Sequence, residues 1–285
     1  MNKAISFLTL LLLLAMLPAC GTQAGTPTVT ATPTSLPTPT HIPELQWTLI
    51  WSDEFDQTDG SGPDPKNWFH TTGSSGFGNS ELQAYTNEIE NAYIENGMLV
   101  IKAIQEDYLG RDYTSARINT ISPNRFTYGR FEVRAKLPNT QGIWPAIWML
   151  PASGSSPVNG EIDIMELIGK EPYRAYATLH YGNPYDNQGG WYDLPDEATF
   201  DQDFHVFSIE WEAEEIRWYV DGNQYLKANE WYTSQANQPY PAPFNKPFFF
   251  ILNVAVGGTW PGSPDESSVF PQSMIVDYVR VYQLK

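Results

Sequence analysis

The sequence predicts an all-β fold in which two antiparallel sheets form a sandwich or jelly roll. Short runs rich in β-branched and aromatic residues recur along the chain, bounded by Gly, Pro or Asn, and long helical periodicity is hard to find. Residues 215–223 alternate apolar and polar side chains up to Asp221-Gly222, which is a strong hairpin signal. Many strands without alternating helices favour a sandwich over a parallel sheet.

The predicted strands follow one another from residue 98 to the end of the chain. In order they cover residues 98–104, 128–137, 143–150, 160–168, 174–181, 204–212, 215–223, 248–256 and 273–282. Two long segments with aromatic residues, 183–199 and 229–243, are predicted loops. No internal repeat is visible.

The strand at residues 160–168 carries three carboxylates, Glu161, Asp163 and Glu166, within six positions. In a strand Glu161 and Asp163 share a face because side chains alternate, whereas Glu166 would turn into the core. An unpaired carboxylate there is very costly. One extra residue, a β-bulge at or near Ile164 and Met165, returns Glu166 to the face of the other two acids.

Three crowded carboxylates on one face suit acid–base chemistry. Their pKa values are pushed apart, so that one can stay protonated while another remains an anion. Glycoside hydrolysis with retention needs such a pair about 5–5.5 Å apart. From this motif alone, a solvated acidic strand edge or a cation site is the alternative.

The N-terminal residues predict export. A short positive region and an apolar core from Phe7 to Leu17, too short to span a bilayer comfortably, predict a lipoprotein-type signal peptide at residues 1–19. The only cysteine, Cys20, follows a sequence that resembles a lipobox, so we expect it to be lipidated, with ordinary cleavage as the alternative. Residues 20–43 form a predicted Thr/Pro-rich linker, and residues 44–285 form the globular domain. We expect a secreted protein that is lipid-anchored at the bacterial surface and meets membrane only through this anchor.

The composition limits the partners. The formal net charge of −17 repels nucleic acid and favours a neutral or cationic partner. The chain has 10 Trp, 16 Tyr and 14 Phe, which suits sugar binding because pyranose rings stack on aromatic faces. The four histidines lack the spacing of a zinc motif, and a single cysteine excludes an intrachain disulfide.

Nine further blocks flank the acidic strand over about 240 residues. They are residues 51–56, 79–86, 129–136, 142–150, 179–182, 204–207, 218–222, 252–262 and 276–283. With the acidic strand they resemble glycoside hydrolase family 16, specifically its bacterial laminarinase (endo-1,3-β-glucanase) branch. The spacing Glu-x-Asp-x-x-Glu is similar to that branch, whereas lichenase-type relatives carry Glu-x-Asp-x-Glu. The resemblance implies a concanavalin A-like jelly roll with the substrate cleft on its concave face.

The resemblance also implies roles for individual residues. Glu161 would be the nucleophile, Glu166 the general acid and then the base, and Asp163 a hydrogen-bond partner of the nucleophile. Substrate binding would involve Asn79, Arg117, Trp144, Trp148, His180 and Trp260. By composition alone Trp144 and Trp148 could be core residues, and His180 could be a structural residue. Trp260 lies on a Gly-rich loop, which favours its exposure.

Two residues near Asn79 and one proline extend these expectations. Glu81 and Gln83 alternate with Asn79 and could line the same groove.

Trp144 and Trp148 are four apart and share a face of a regular strand. The proline between them, Pro145, predicts that this strand lies near an edge or a bulge.

Family 16 members often carry one calcium ion away from the cleft. The resemblance maps its ligands to Glu54, the backbone carbonyl of Gly97 and Asp277, with a role in stability. Glu54 and Asp277 could otherwise be ordinary surface acids. No cofactor is implied for catalysis.

The implied function is endo hydrolysis of β-1,3-glucan by a monomer, with retained configuration. Four alternatives stay open: a mixed-linkage β-1,3-1,4-glucanase, an enzyme for a galactan such as agar or carrageenan, a transglycosylase that passes the covalent intermediate to another sugar, and a glucan-binding sandwich without catalysis. The presence of all three acids weighs against the last, and the negative charge weighs against a sulfated galactan.

Overall fold

Strands form all of the regular structure in the described part of the chain. This computed structural model describes residues 46–120 and 124–285, in which no helix is present that could span a membrane. The strands are β1 (Trp47–Asp53), β2 (Phe69–His70), β3 (Gln83–Tyr85), β4 (Ala92–Glu95), β5 (Met98–Tyr108), β6 (Arg111–Ser115), β7 (Arg117–Asn119), β8 (Gly129–Lys136), β9 (Ile143–Pro151), β10 (Glu161–Glu166), β11 (Arg174–Tyr181), β12 (Asp186–Asp193), β13 (His205–Trp211), β14 (Ile216–Val220), β15 (Asn223–Ala228), β16 (Phe248–Val256) and β17 (Gln272–Leu284). The predicted signal peptide, Cys20 and the predicted linker lie outside the described residues.

The strands pair into two sheets, and the predicted two-sheet β-sandwich is confirmed. The ten-stranded sheet has the order β15-β14-β13-β8-β17-β5-β6-β3, with β1 paired to β17 and β4 paired to β5. The seven-stranded sheet has the order β12-β11-β10-β9-β16-β7-β2. Pairing in the seven-stranded sheet is antiparallel.

Aromatic side chains fill the space between the two sheets. In β8 and β11 every second residue is buried, as the two-residue period of a strand requires. The ring of Phe131 in β8 lies 5.8 Å from that of Phe250 in β16, and Trp211 in β13 lies 5.3 Å from Phe248 in β16. Both pairs meet edge to face, the geometry that aromatic rings prefer. The apolar faces are therefore used in the core, and the outer face of the seven-stranded sheet is left for polar residues.

The prediction of a loop at residues 183–199 is wrong in part, because this segment contains strand β12. Its first residues, Asp-Asn-Gln-Gly-Gly, have low β propensity, which is why the sequence does not indicate a strand. Pairing overrides this preference, since all eight residues of β12 lie opposite residues of β11. The other predicted loop, residues 229–243, contains no strand.

The prediction that Pro145 places its strand near an edge or a bulge is confirmed for the bulge and wrong for the edge. Strand β9 lies inside the sheet, between β10 and β16. The carbonyl of Pro145 accepts a hydrogen bond from the backbone nitrogen of Leu167, just beyond the last residue of β10. The N–H and C=O of one residue point to the same side of an antiparallel strand, so the missing donor of the proline falls where β10 ends. The bulge that the proline also allowed lies in the neighbouring strand, β10.

Candidate active site

A cleft of about 580 Å³ opens on the outer face of the seven-stranded sheet. It crosses the adjacent strands β11, β10, β9, β16 and β7. Its lining residues are Phe77, Asn79, Glu81, Arg117, Trp144, Ala146, Trp148, Ser156, Pro157, Glu161, Asp163, Glu166, His180, Tyr185, Asn253, Ala255 and Trp260. The fold thus brings together in one cleft all nine residues predicted for catalysis and substrate binding, and Glu81 with them.

The predicted bulge in the acidic strand is confirmed. Asp163 lies opposite Thr178 of β11, and Glu166 lies opposite Tyr176. Two residues separate the acids on β10 where one residue separates their partners on β11, and the pairing with β9 shifts at the same place. Because of this one extra residue, Glu161, Asp163 and Glu166 all face the cleft.

Glu161 stands at the start of β10, and its carboxyl group binds a proton unusually tightly. Burial raises its pKa to about 7, and the negative charge of Asp163 acts in the same direction. A hydrogen bond with Ser156 and the charges of His180 and Arg117 oppose this rise. The group can therefore be an anion at neutral to alkaline pH.

Glu166, at the end of β10, also has a carboxyl group that binds its proton more tightly than an ordinary glutamic acid, because its pKa is raised. Burial, followed by the charge of Asp163, raises its pKa well above the usual value of a glutamic acid. The indole Nε1 of Trp144 donates a hydrogen bond of 3.0 Å to its Oε1, which opposes the rise. The two glutamates thus suit different roles, Glu166 as a proton donor and Glu161 as an anion.

Asp163, between the two glutamates on β10, is paired with a histidine. Its carboxylate is almost fully buried and lies 2.8 Å from Nε2 of His180 on β11. Burial disfavours the charged imidazole, but the hydrogen bond and charge of Asp163 outweigh it and raise the pKa of His180 to about 10. The other ring nitrogen, Nδ1, lies 2.7 Å from the hydroxyl of Tyr185. At neutral pH the histidine is therefore a cation that offsets the charge of Asp163.

Arg117 brings a second cation to the opposite end of the cleft, on β7. Its guanidinium lies 4.7 Å from the ring centre of Trp148 and 5.3 Å from that of Phe77, within the range of cation–π contact. Burial lowers its pKa, but an arginine stays protonated. Its Nε is buried and has no hydrogen-bond partner among the described residues.

The sequence matches Glycosyl hydrolases family 16 over residues 78–280, which is more than half of the chain. The chain belongs to glycosyl hydrolase family 16. It is therefore a glycoside hydrolase, and the resemblance on which the residue assignments depend is confirmed at the level of the family.

Named relatives of this hydrolase are similar over most of its length. The β-glucanase of Rhodothermus marinus is 48% identical over 250 residues, which cover 83% of this chain and 85% of the relative. The laminarinase of Rhodothermus marinus, a solved structure, is 45% identical with a TM-score of 0.77, over 85% of this chain and 99% of that one. The catalytic domain of an endo-1,3-β-glucanase (laminarinase) from Thermotoga petrophila RKU-1 is 43% identical with a TM-score of 0.76, over 85% and 100%.

The aromatic residues of the hydrolase form one side of its cleft. Trp260 is 36% exposed, as a tryptophan on a Gly-rich loop should be, and its ring lies 5.5 Å from that of Trp144, edge to face. It also meets Tyr176 of β11 at 5.0 Å. Trp148 faces the cleft as well, but Arg117 lies over its ring. Trp260 is thus the more accessible platform for a sugar ring.

The sequence does not predict the polar contacts of Asn253 in the cleft. Asn253 of β16 accepts a hydrogen bond of 2.7 Å from Nε1 of Trp148 and donates one of 3.1 Å to the hydroxyl of Tyr85. The signal was available, because Asn253 is the one polar residue in the strand sequence Phe-Phe-Phe-Ile-Leu-Asn-Val-Ala-Val. Tyr185, the partner of His180, falls in a segment predicted only as a loop.

Asn79, Glu81 and Gln83 form a second set of polar contacts. The buried carboxylate of Glu81 accepts hydrogen bonds from the side-chain amides of Asn79 at 3.2 Å and Gln83 at 2.7 Å. Gln83 does not reach the cleft; its Oε1 accepts the backbone N–H of Val256 at 2.7 Å. Its role is to hold β16 against the segment that carries Asn79.

The predicted calcium ligands are engaged by arginines. Glu54 makes two hydrogen bonds with Arg280, at 2.9 and 2.7 Å, and Asp277 lies 2.6 Å from Arg134. A cation at this place would have to open both ion pairs, so this set of side chains, as it stands, does not fit a calcium ion. Gly97 lies in the turn between β4 and β5. The calcium site stays a prediction.

Proposed function

We propose that this glycosyl hydrolase cleaves internal β-1,3-glucosidic bonds of a laminarin-type glucan and retains the β configuration. The observation that carries the proposal is the bulged strand that turns Glu161, Asp163 and Glu166 into one cleft. The pKa of Glu161 is about 7, and that of Glu166 is raised well above its ordinary value. A carboxyl group that ionises near neutrality suits a nucleophile, and a carboxyl group whose pKa is raised suits a proton donor.

In the first step the carboxylate of Glu161 attacks the anomeric carbon of the sugar. The bond from that carbon to the leaving oxygen breaks, and the proton of Glu166 passes to the leaving oxygen. The products are a shortened glucan with a new hydroxyl and a glycosyl ester of Glu161. Asp163, held by the His180 cation, keeps a negative charge beside both groups.

In the second step water attacks the anomeric carbon of the ester from the other face. Glu166, now an anion, takes a proton from the water, and the carboxylate of Glu161 leaves. Two inversions at one carbon return the β configuration. At the end Glu166 is protonated and Glu161 is ionised, so the site is ready for another turnover.

The remaining residues of the cleft are proposed to hold the glucan. Arg117 and Asn79 line the cleft with nitrogen donors that suit hydroxyl groups, and Trp260 offers an aromatic face. Trp144 is bound to Glu166 through its indole nitrogen, so it also orients the proton donor. These roles explain why polar and aromatic groups meet on strands that elsewhere bury apolar residues.

The names of the relatives support β-1,3-glucan as the substrate, since both solved structures are called laminarinases and one of these two is also called an endo-1,3-β-glucanase. The net charge of −17 supports a neutral glucan over a sulfated galactan. Mixed-linkage β-1,3-1,4-glucan is the second candidate, because the β-glucanase name of another relative does not specify the linkage.

Product analysis tests this proposal. The protein is incubated with laminarin, lichenan and agarose, and the anomeric proton of the first products is followed by NMR. We expect reducing ends from laminarin, with the β anomer formed first. If the α anomer is formed first, the mechanism is not retaining. If lichenan or agarose is turned over faster than laminarin, that polysaccharide is the substrate instead. If laminarin is bound but not cleaved, the protein is a glucan-binding protein.

The same proposal places the enzyme outside the cell. Lipidation of Cys20 would tether the hydrolase to the bacterial surface, and residues 20–43 would hold it away from the membrane as an extended spacer. A monomer in this position can act on polymers that are too large to enter the cell.

A further inference from the structure

The bulge that carries the active site also disturbs the backbone of its strand. A regular strand satisfies its N–H and C=O groups through its neighbours, and an extra residue interrupts that ladder. The interruption in β10 lies between Asp163 and Met165 on the β9 side and between Asp163 and Glu166 on the β11 side. The extra residue is Ile164, which is buried in the core. The backbone at Asp163 therefore stands at the point where the ladder breaks.

A tryptophan of the opposite sheet binds the backbone at this point. Nε1 of Trp218, in β14, donates a hydrogen bond of 2.8 Å to the carbonyl oxygen of Asp163. Trp218 is fully buried between the sheets, with Ile216 and Val220 of the same strand beside it on the core side. The contact crosses the core, and it joins the ten-stranded sheet to the strand that carries all three acids.

We propose that Trp218 is a positioning residue that holds the bulge of β10 between Asp163 and Glu166, so that Glu166 faces the cleft. The indole N–H favours the conformation in which the Asp163 carbonyl turns toward the core. That turn lets one residue be inserted without shifting Asp163 itself, whose side chain still reaches His180. The inference rests on the proposed role of Glu166 as the proton donor.

The position of the bulge matters because a strand reverses faces at every residue. If the extra residue were accommodated after Glu166 instead of before it, Glu166 would face the core and Met165 the cleft. Glu161 and Asp163, on the other side of the bulge, would not change face. Loss of the Trp218 contact should therefore affect proton donation more than nucleophilic attack.

The test compares two tryptophans that make the same kind of contact. Trp211, in the adjacent strand β13, is also fully buried, and its Nε1 donates a hydrogen bond of 3.2 Å to the backbone carbonyl of Phe244. Trp218→Phe and Trp211→Phe remove the same N–H and the same volume. We expect a similar fall of Tm in both variants, but only Trp218→Phe should lower kcat on laminarin, by about 10- to 100-fold with little change in KM.

The leaving group separates a misplaced acid from general damage. A dinitrophenyl glycoside has a leaving group that needs no proton, so Trp218→Phe and Glu166→Gln should both recover most of the rate of formation of the glycosyl-enzyme on it. The alkaline limb of the pH profile on laminarin should move to higher pH in Trp218→Phe, because a Glu166 side chain that turns toward the core is more buried and binds its proton more tightly. Equal losses on both substrates, or a pH profile like that of Trp211→Phe, would overturn the proposal.

A second background shows whether Trp218→Phe acts through the bulge. Deletion of Ile164 makes β10 regular and places the last glutamate on the cleft side without a bulge. In that background Trp218→Phe should leave kcat unchanged relative to the deletion alone, and an undiminished loss would overturn the inference. Normal activity of Glu166→Gln on laminarin would instead contradict the proposed function, so the two failures are distinguishable.

Discussion

Nε2 of His180 lies 2.8 Å from a carboxylate oxygen of Asp163, the acid that stands between the two glutamates of the cleft. Asp163 and His180 have opposite effects on the pKa values of the two glutamates. The charge of Asp163 raises the pKa values of both Glu161 and Glu166, and the charge of His180 lowers both. His180 therefore sets the pH range in which Glu161 is an anion.

Replacement of His180 by Gln should move the acidic limb of the activity profile to higher pH. Glu161 acts only as an anion, so kcat/KM rises with pH through its pKa of about 7, and removal of a nearby cation raises that pKa further. The measurement is kcat/KM on laminarin across the pH range. Tyr185→Phe is the control, since it removes only the hydroxyl 2.7 Å from Nδ1 and should shift the limb less. A limb that stays in place or moves down would contradict this role of His180.

Replacement of Glu161 by Ala should lower kcat on laminarin by about 10⁴-fold and leave the fold intact. Tm should not fall, because the removed carboxylate is one whose charge is disfavoured by burial. Azide should restore turnover of an activated aryl glycoside and give an α-glycosyl azide, since it takes the place of the nucleophile. Glu166→Ala is the matched variant and should give the β-azide. The same anomer from both variants would show that the two roles are assigned wrongly.

Replacement of Asn253 by Ala should weaken both stability and substrate binding. It leaves the indole N–H of Trp148 and the hydroxyl of Tyr85 without their partner, which costs about 1–3 kcal/mol in the free energy of unfolding. We expect a higher KM for laminarin as Trp148 becomes less fixed. Asn91→Ala removes an equally buried amide with bonds to Lys102 and Thr114, so it should reduce stability and leave KM unchanged. Equal effects on KM would mean that Asn253 acts only on stability.

Replacement of Gly169 by Ala should destabilise the protein by about 3 kcal/mol or more. An added Cβ at Gly169 would lie 1.7 Å from the backbone oxygen of Thr140, and backbone cannot move aside cheaply. Urea unfolding measures the loss. Gly62→Ala is the control, because its added Cβ meets only Ile89, at 3.8 Å, and it should change the unfolding free energy little. Similar unfolding curves for the two variants would contradict the close contact.

Replacement of Cys20 by Ser should release the enzyme from the membrane fraction. A lipidated N-terminal cysteine partitions with membranes, whereas a serine at the same place cannot carry the thioether-linked lipid. The measurement is laminarin hydrolysis in membrane and soluble fractions of a bacterium that expresses the full chain. Wild-type activity found mainly in the soluble fraction would contradict lipid anchoring.

The alternation of side chains in strands was sufficient to predict the sandwich and the bulge. At residues 160–168 an unpaired Glu166 carboxylate in the core would be very costly, and a bulge avoids this cost. The local sequence is therefore enough to predict the backbone there. The strand β12 could not be predicted in the same way. Its glycines and polar residues have no preference for a strand, and it exists because β11 offers a complete row of backbone partners.

Some features of the cleft can be predicted from the local sequence, and others depend on which strands are neighbours in the sheet. The shared face of the three acids follows from the period of their own strand, whereas the place of Trp144 and Trp148 in the cleft was implied only by the family resemblance. The position of Pro145 depended on which strands lie on either side, and the partners of Asn253 depended on the order of strands in the sheet. Such information is not local, and the periodicity of one segment cannot supply it.

The hydrogen bond between Tyr85 and Asn253 joins residues that are 168 positions apart, and that between Trp148 and Asn253 spans 105 positions. An unfinished chain that stops before β16 has neither bond and lacks the strand that joins β9 to β7. A growing chain of that length therefore cannot hold the complete cleft, because the contacts of Asn253 need residues that are far apart in the sequence. Laminarin hydrolysis should accordingly appear during synthesis only after β16 has been made.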